Sequence, residues 1–526
     1  MSTPSPGEIR EQLLNTFQPP TVAWSVDGRT VEFLADFELG IEHGGFITIT
    51  TPRGVELLAQ VHDLEVVSRR GMAVQVDIEV MGIEAEGVTE TTIDMPVRMI
   101  EGRGLILGRT DGGRRSPRSF NEADLAPASD DVIEAYLTEE AGAESRLPIG
   151  VMRNTKIPAQ LRAKGFARHT FMVGQSGSGK TFSLGVVLER LLNETELPVV
   201  IFDPNSDYVN LGRLDSRTAI NRFANPQLSK GEYDELAAEY PKRAKVAVAS
   251  REGGDLPLRI QLSDLTTHEQ ALTMRIDPID DPGLYHALRD TTAAFDARVY
   301  DVEDLVAALT QRFDDDARRL ARRIANLGLS TWDVWARSDE DSLLRILPSL
   351  AETRTTRVVV LDTGSLRTTR ERSLVALALF GRLQRRPLRR PLSIVVDEAH
   401  NVCPPEGATR LDQAVVDIVT WIAGEGRKFG LYVVLSTQRP QKIHRNVLSQ
   451  CDNLLLMRVN SDTDLAELEQ VFSHVPSALI HQARSHRMGE MLAAGPVAPT
   501  PLRLQVGSRW TKEGGADLPT DWARRT

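Results

Sequence analysis

Apolar positions follow two different rhythms along the chain. Over residues 22–108 the runs RTVEFLADF, GGFITITT, VELLAQVHDLEVV, MAVQVDIEVMGI, TTIDMPVRMI and GLILGRT are rich in Val, Ile and Thr. Many alternate nearly apolar with polar, and Gly, Asp or Pro separates them. A period of two marks half-buried strands. Five or six of them predict a small barrel or sandwich. The polar stretch Arg109–Asn121 reads as a mobile loop, and ASDDVIEAYLTEE (Ala128–Glu140) as a helix opened by Ser and Asp. A domain boundary near residue 145 follows.

From residue 169 the rhythm changes. HTFMVG, LPVVIFD, RVVVLD, LSIVVDE, GLYVVLST and CDNLLLMRV are continuous apolar runs separated by helical patterns. Runs of that kind suit strands buried on both faces of a parallel sheet. Between Ser206 and Arg354 the spacing is mainly helical, so the segment reads as a helical insertion into an α/β domain. The polar tail after Val506 is expected to be weakly ordered or to strap a neighbour.

Composition narrows the class only a little. Apolar residues make up 41% and charged residues 26%, which is ordinary for a globular protein. The two cysteines, Cys403 and Cys451, show no metal-ligand spacing and fit a reduced compartment. The polar start MSTPSPGEIREQLLN lacks the apolar stretch of a signal peptide, and no apolar run approaches the ~20 residues of a membrane span. A cytoplasmic protein without membrane insertion is expected. The net charge of −11 argues against a generic nucleic-acid binder. The first 150 residues, however, hold 26 acids against 12 bases, so the acidity sits there and the remainder is close to balance. The acidic segment suits a protein partner better than phosphates.

The most specific chemistry is Gly174-Gln175-Ser176-Gly177-Ser178-Gly179-Lys180-Thr181, a full G-x-x-x-x-G-K-[ST] between an apolar strand and an amphipathic helix. Glycines let backbone N–H groups turn inward around phosphate, and the helix N-terminus adds positive potential. Lys180 is placed for the β- and γ-phosphates of ATP, and Thr181 offers a hydroxyl to Mg²⁺. The alternative is a glycine-rich turn that matches by chance.

Three further segments build on that loop. PLSIVVDEAHNV delivers Asp397 and Glu398 to the carboxyl end of a strand, where open α/β sheets bind ligands. Asp397 is the candidate for the metal's water shell, and Glu398 for the base that activates the attacking water. Such a base separates ATP hydrolases from kinases; the alternative is an acidic turn capping a helix. GLYVVLSTQRP ends in Ser436-Thr437-Gln438, and Gln438 is a candidate γ-phosphate sensor or a strand cap. GEGRKFG sets Arg427 and Lys428 between glycines, which suits an arginine finger reaching into the next subunit's nucleotide. Arg427 is the first choice, Lys428 and Arg168 are others, and a solvated basic loop is the alternative.

The order of these segments resembles the HerA family, part of the HerA/FtsK group of RecA-like motors. The phosphate loop, IFDPNSDY, VVVLDTGSL, VVDEAHNVCP, GEGRKFG, LSTQRP and MGEMLAAGP carry the resemblance. It is specific over 169–210 and 355–500 and loose elsewhere. DPNSDY departs from the commoner DPHGEY-like form, so Asp207 receives no catalytic role. The resemblance implies a RecA-like P-loop ATPase core over 146–210 and 351–506, with a mainly helical insertion over 211–350. It also implies a small N-terminal β-barrel over 1–145 and a tail over 507–526. Family likeness further implies a homo-hexameric ring that threads double-stranded DNA with ATP and Mg²⁺, beside a nuclease or other effector, in DNA repair or antiviral defence.

Two arginine-rich stretches are candidates for the DNA path. They are Leu366–Ser373 and Gly381–Pro391, the latter with Arg385, Arg386, Arg389 and Arg390. Neither interleaves aromatics, so backbone contact is expected rather than base stacking; solvated loops or subunit salt bridges are the alternative. The main alternative for the whole chain is a ring scaffold in which ATP controls assembly of an effector without processive translocation.

Overall fold

The structure is a computed structural model that describes residues 21–77, 90–113, 118–142, 145–215, 229–296, 298–345, 355–385 and 389–514. It divides into two compact units. The first comprises Met1–Gly142 with Pro476–His481, and the second Ala143–Val475 with Gln482–Thr526.

The first unit contains a closed antiparallel barrel in the order β1-β2-β5-β4-β3-β6. Its strands are β1 (Val22–Ser25), β2 (Thr30–Asp36), β3 (Phe46–Thr50), β4 (Glu56–Asp77), β5 (Glu90–Arg109) and β6 (Phe120–Pro127). Alternation sends Val31, Phe33, Ile47, Ile49, Leu57, Ala59 and Val61 into one core. Closure removes the open edges that a sandwich would leave. Four of the apolar runs merge into just two long strands. Register shifts between Val61 and Asp63 and between Arg70 and Ala73 let β4 and β5 pair continuously across apparent breaks. Helix α1 (Asp130–Ala141) follows with Ser129 at its N-cap position. Of the expected mobile loop, residues 114–117 lie outside the described residues.

The second unit is built on a 12-stranded sheet of order β12-β11-β13-β10-β14-β15-β9-β16-β17-β18-β7-β8. The strands are β7 (Arg146–Met152), β8 (Pro158–Arg162), β9 (Thr170–Val173), β10 (Val199–Phe202), β11 (Val246–Ser250), β12 (Leu256–Pro257), β13 (Val358–Leu361), β14 (Leu392–Val396), β15 (Leu431–Thr437), β16 (Asn453–Leu456), β17 (Glu490–Ala494) and β18 (Leu502–Val506). From β12 to β16 neighbours run parallel, and from β16 to β8 antiparallel. Every residue of β9, β10, β13 and β14 is buried, as strands covered on both faces require.

Two expectations need amendment. Between β10 and β13 run five α-helices among the described residues, and they do not act alone. The helices are Lys230–Ala244, Thr267–Thr273, Pro282–Ala293, Val302–Gln311 and Asp315–Leu327. The same segment also supplies β11 and β12 to the sheet edge, β11 pairing with β13. VAVAS is short, three of its five residues alanine or serine, and flanked by charge, so its strand signal is weak.

The second amendment concerns the tail. Residues up to Gly514 pack within the chain rather than trailing off; Arg509, Trp510 and Thr511 are all buried. They strap the helix Lys180–Glu194. Glu189 of that helix, fully buried, accepts the amides of Trp510 and Thr511 at 2.8 and 2.7 Å and the Thr511 hydroxyl at 2.7 Å. Arg190 donates to Ser508 O at 2.7 Å and lies over the Trp510 ring. Residues 515–526 lie outside the described residues.

Glu189 is the buried charge on which this strap closes, with Arg190 at 2.9 Å as its counter-ion. Glu189→Ala is expected to lower the unfolding free energy by about 3–5 kcal/mol, the cost of stranding a buried guanidinium. Urea denaturation of the full chain measures it; a loss below about 1 kcal/mol, the size of an exposed pair, would contradict the strap.

Candidate active site

The phosphate loop leaves β9 at Val173 and re-enters helix at Lys180. Its glycines are needed for geometry. Gly177 and Gly179 have φ of +74° and +87°, a region costly to any residue with a Cβ. At Gly174 a Cβ would sit 2.7 Å from Ser178 Oγ and 2.8 Å from Met457 Cβ. The loop is pinned from outside: Gln175 N donates to Arg458 O at 2.9 Å, and Arg458 Nη2 to Gly177 O at 3.3 Å. Asn460 N donates to Gln175 Oε1 at 3.2 Å.

No side chain caps the helix that starts at Lys180, so no cap competes with an anion at its N-terminus. Ser178 Oγ is buried and, among the described residues, has no hydrogen-bond partner. A polyphosphate fits such a cradle, because it would satisfy both the amides and the hydroxyl.

Strand order then assembles the rest. β14, β15 and β9 are neighbours, so their carboxyl ends lie side by side. Lys180 Nζ donates to Asp397 Oδ1 at 2.8 Å and to Ser436 Oγ at 2.9 Å, and stands 3.4 Å from Glu398 Oε1. Ser436 Oγ donates to the same Asp397 oxygen at 2.7 Å. Gln438 Nε2 donates to Glu398 Oε1 at 2.9 Å. Lys180, Asp397, Glu398 and Gln438 are therefore one cluster. Thr181, half-buried, occupies the next position on the helix.

Sequence reasoning missed three of its members. His400 Nδ1 lies 3.2 Å from Glu398 Oε2 and 3.1 Å from Thr437 Oγ1. Ser436 bridges the lysine and the aspartate. Tyr208, fully buried, points its hydroxyl at Asp397 Oδ2 at 3.4 Å. His400 stands in the same DEAH string as the acidic pair, and Tyr208 closes DPNSDY, so both were visible as letters without a role. Glu398 itself has φ +44°, a left-handed conformation rare for a residue with a side chain. Backbone strain of that kind survives where surrounding contacts hold it, and it is common at catalytic positions.

The electrostatics follow from burial and proximity. Burial alone would push the Lys180 ammonium down, but the Asp397 and Glu398 carboxylates outweigh it and hold it above its ordinary value. Burial alone would raise Glu398, but His400 and the Lys180 charge hold it below the usual carboxylate range, so it is ionised at neutral pH. Beside them, burial pushes Asp203 up to about 7, although its oxygens accept the amides of Asp207 and Tyr208. Burial and the Asp397 charge push Asp207 up to about 6.

The donors fit a divalent cation held jointly with phosphate. Mg²⁺ usually takes one or two carboxylates plus phosphate oxygens and water rather than an all-protein cage. Among the described residues no cluster of three His, Cys, Asp or Glu side chains stands ready for a metal. Thr181 and Asp397 offer the smaller set.

The candidate finger lies elsewhere. Arg427 sits in the turn Gly426–Phe429 before β15, at the amino edge of the sheet. At ~3.4 Å per strand residue, the length of β15 puts it roughly 20 Å from its own phosphate loop. It pairs with Asp452 at 3.0 Å, and Arg168 reaches the same carboxylate at 3.4 Å. Lys428 pairs with Glu425. Of the arginine-rich stretches, Arg385 forms an ion pair with the buried Glu269, which makes it a packing residue. Arg386 lies outside the described residues. Arg367 pairs with Asp333 at 2.8 Å, and Arg370 is exposed.

Residues 147–383 match the family model for the central domain of helicase HerA. The DNA double-strand break repair helicase HerA of Sulfolobus acidocaldarius is 23% identical over 454 residues, covering 81% of this chain and 82% of that protein. A probable helicase of Methanocaldococcus jannaschii is 31% identical over 133 residues, an alignment spanning only 25% of either chain. Among solved structures, VirB4 of Thermoanaerobacter pseudethanolicus superposes with a TM-score of 0.46 at 15% identity, covering 70% of this chain and 97% of that one.

Lys180→Met tests the charge cluster. Without the ammonium, Glu398 loses a charge that holds it low and burial disfavours its ionised form, so its native pKa rises above the unfolded one. Such a group destabilises most above the raised value and less as pH falls toward it. The variant should lose about 3–5 kcal/mol near neutral and alkaline pH and recover part of it at about pH 5. Equal deficits at the two pH values, from denaturant melts, would contradict the pairing.

Proposed function

The chain belongs to the HerA family, and from that premise we propose that it is an ATP-hydrolysing translocase that drives double-stranded DNA through a ring of identical copies. The observation that carries the proposal is the contact of Lys180, Asp397, Glu398 and Gln438 across three strand tips. It joins a phosphate grip to a carboxylate held in a fixed, ionised state.

In the proposed cycle the loop amides and Lys180 take the β- and γ-phosphates of ATP, and the ammonium exchanges Asp397 for phosphate oxygens. Thr181 and Asp397 would hold Mg²⁺, which neutralises charge developing between the β- and γ-phosphates. Glu398 accepts a proton from water as the water oxygen bonds to the γ-phosphorus. The bond from that phosphorus to the bridging oxygen breaks, and ADP leaves with the electron pair. Gln438 and His400, each on one oxygen of Glu398, fix the carboxylate's orientation and report its occupancy to β15.

Arg427 is proposed to act in trans. It stands at the opposite sheet edge from its own loop, half-exposed, where a neighbouring copy's carboxyl edge would meet it. Supplying the cation from the next copy makes hydrolysis depend on the ring, with six copies as the family likeness implies. A nuclease or other effector docked on that ring belongs to the same proposal, as does work in DNA repair or defence. Among the described residues no helix is long and apolar enough to cross a membrane; the proposal places the work in the cytoplasm, where ATP and DNA are found.

Translocation on duplex DNA is read by displacement of a third strand from a triplex without unwinding. The chain should displace it with ATP. Glu398→Gln should bind ATP yet hydrolyse it about 10²–10⁴-fold more slowly, the usual weight of a general base, and displace nothing. ATP hydrolysis by the wild type without any displacement would favour the ring scaffold over the motor.

A further inference from the structure

We propose that the nucleoside half of the bound nucleotide lies over Arg458 and Met488, which clasp a purine by its faces without reading its edge, so that ATP and GTP are both accepted. The proposal rests on the ATP-site reading above and deepens it.

Direction comes from the sheet. β9, which carries the phosphate loop, has β15 on one side and β16 on the other. The groups suited to the γ-phosphate, Glu398 and Gln438, stand on the β14 and β15 side. A triphosphate with its terminal phosphate there must run away from them, toward β16. Its ribose and base then pass over whatever lies at that side of the same edge.

Two elements lie there. Arg458 is the second residue beyond β16, and its Nη2 donates to Gly177 O at 3.3 Å. The turn before β17 is the other: because β17 runs antiparallel, its start is at the same sheet edge as the ends of the parallel strands. Gly489 N donates to Ser178 O at 2.9 Å, which locks this turn to the loop. A side chain added at Gly179 would come within 3.7 Å of Met488 Cγ. Met488 is nevertheless 52% exposed, one of the few large apolar side chains among the described residues left to solvent.

The chemistry suits a flat ring. A guanidinium stacks on aromatic faces, and a thioether packs against ring edges and faces. Neither contact depends on whether a purine carries an amino group or a carbonyl at its six-position. The side-chain amides at this place are engaged: Gln175 accepts from Asn460 N at 3.2 Å through its oxygen, and Gln505 Nε2 donates to Met488 O at 3.4 Å. A site that reads a base by hydrogen bonds would need dedicated, unengaged groups at this place.

The experiment is competition on the full chain against a fluorescent ATP analogue, with ATP, GTP and inorganic tripolyphosphate as probes. Binding, not turnover, is read. ATP and GTP should bind the wild type within about tenfold of each other, since stacking is tolerant of base identity. Met488→Ala and Arg458→Ala should each weaken both nucleotides by about threefold to tenfold, the scale of sulfur–aromatic and cation–π contacts. Tripolyphosphate affinity should be unchanged in Met488→Ala, and Arg458→Ala, which also loses the bond to Gly177 O, should weaken the nucleotides more than tripolyphosphate. Discrimination between ATP and GTP on the order of a hundredfold or more would overturn the proposal by revealing edge readout. So would unchanged nucleotide binding in Met488→Ala, or a loss of tripolyphosphate binding in Arg458→Ala equal to the loss of ATP. Failure of the wild type to bind any of the three would instead remove the ATP-site reading, and the purine clasp with it.

Discussion

One ion pair organises the second unit. Lys180 meets Asp397 at 2.8 Å inside a cluster almost closed to solvent, with Glu398 and Ser436 as further partners. Burying an ammonium and two carboxylates costs several kcal/mol per ion unless each finds partners. The fold meets that cost by bringing together two residues 217 positions apart in the chain. It requires β14, β15 and β9 to be adjacent and in register, and it requires β9 and β14 to be buried on both faces. The strap over Glu189 and Arg190 holds the helix that presents Lys180. In the proposed cycle the pair is exchanged: phosphate oxygens would replace Asp397 on the lysine, and a divalent cation would replace the lysine on Asp397, so charge would stay balanced.

The two edges of the sheet divide the chemistry. At the carboxyl edge lie the phosphate loop, the acidic pair, Gln438 and the Met488 turn. At the amino edge lie Arg427 and Arg168 on Asp452. A protomer with its phosphate loop at one edge and Arg427 at the other suits the proposed head-to-tail ring, where each interface would combine both. In that ring, hydrolysis in one copy would depend on the position of the next.

What the sequence made legible was what is local. The phosphate loop and Asp397-Glu398 could be named because strand, turn and helix signals flank them within a few residues. Gln438 could be placed because a buried strand runs straight into it. Ser436, His400 and Tyr208 escaped because their roles exist only once β15, β14 and the segment after β10 lie side by side. Arg385 looked like a DNA contact until Glu269, 116 residues away, took it up. VAVAS was too short to compete with the helices around it, and bulges hid the continuity of β4 and β5. The tail looked polar because Arg509 and Thr511 are polar by letter, yet both are buried, Arg509 donating to Asp207 O and Thr511 to Glu189. Long-range pairing, and not local pattern, decided each of these.

The claim at the centre is that this charge cluster couples ATP hydrolysis to movement along duplex DNA. Steady-state ATP turnover by the full chain, with Mg²⁺, in the absence and presence of long linear double-stranded DNA tests it most directly. The account predicts a measurable basal rate that rises severalfold with duplex DNA and falls back as salt screens the phosphate contacts. A rate indifferent to DNA at every salt concentration would contradict it.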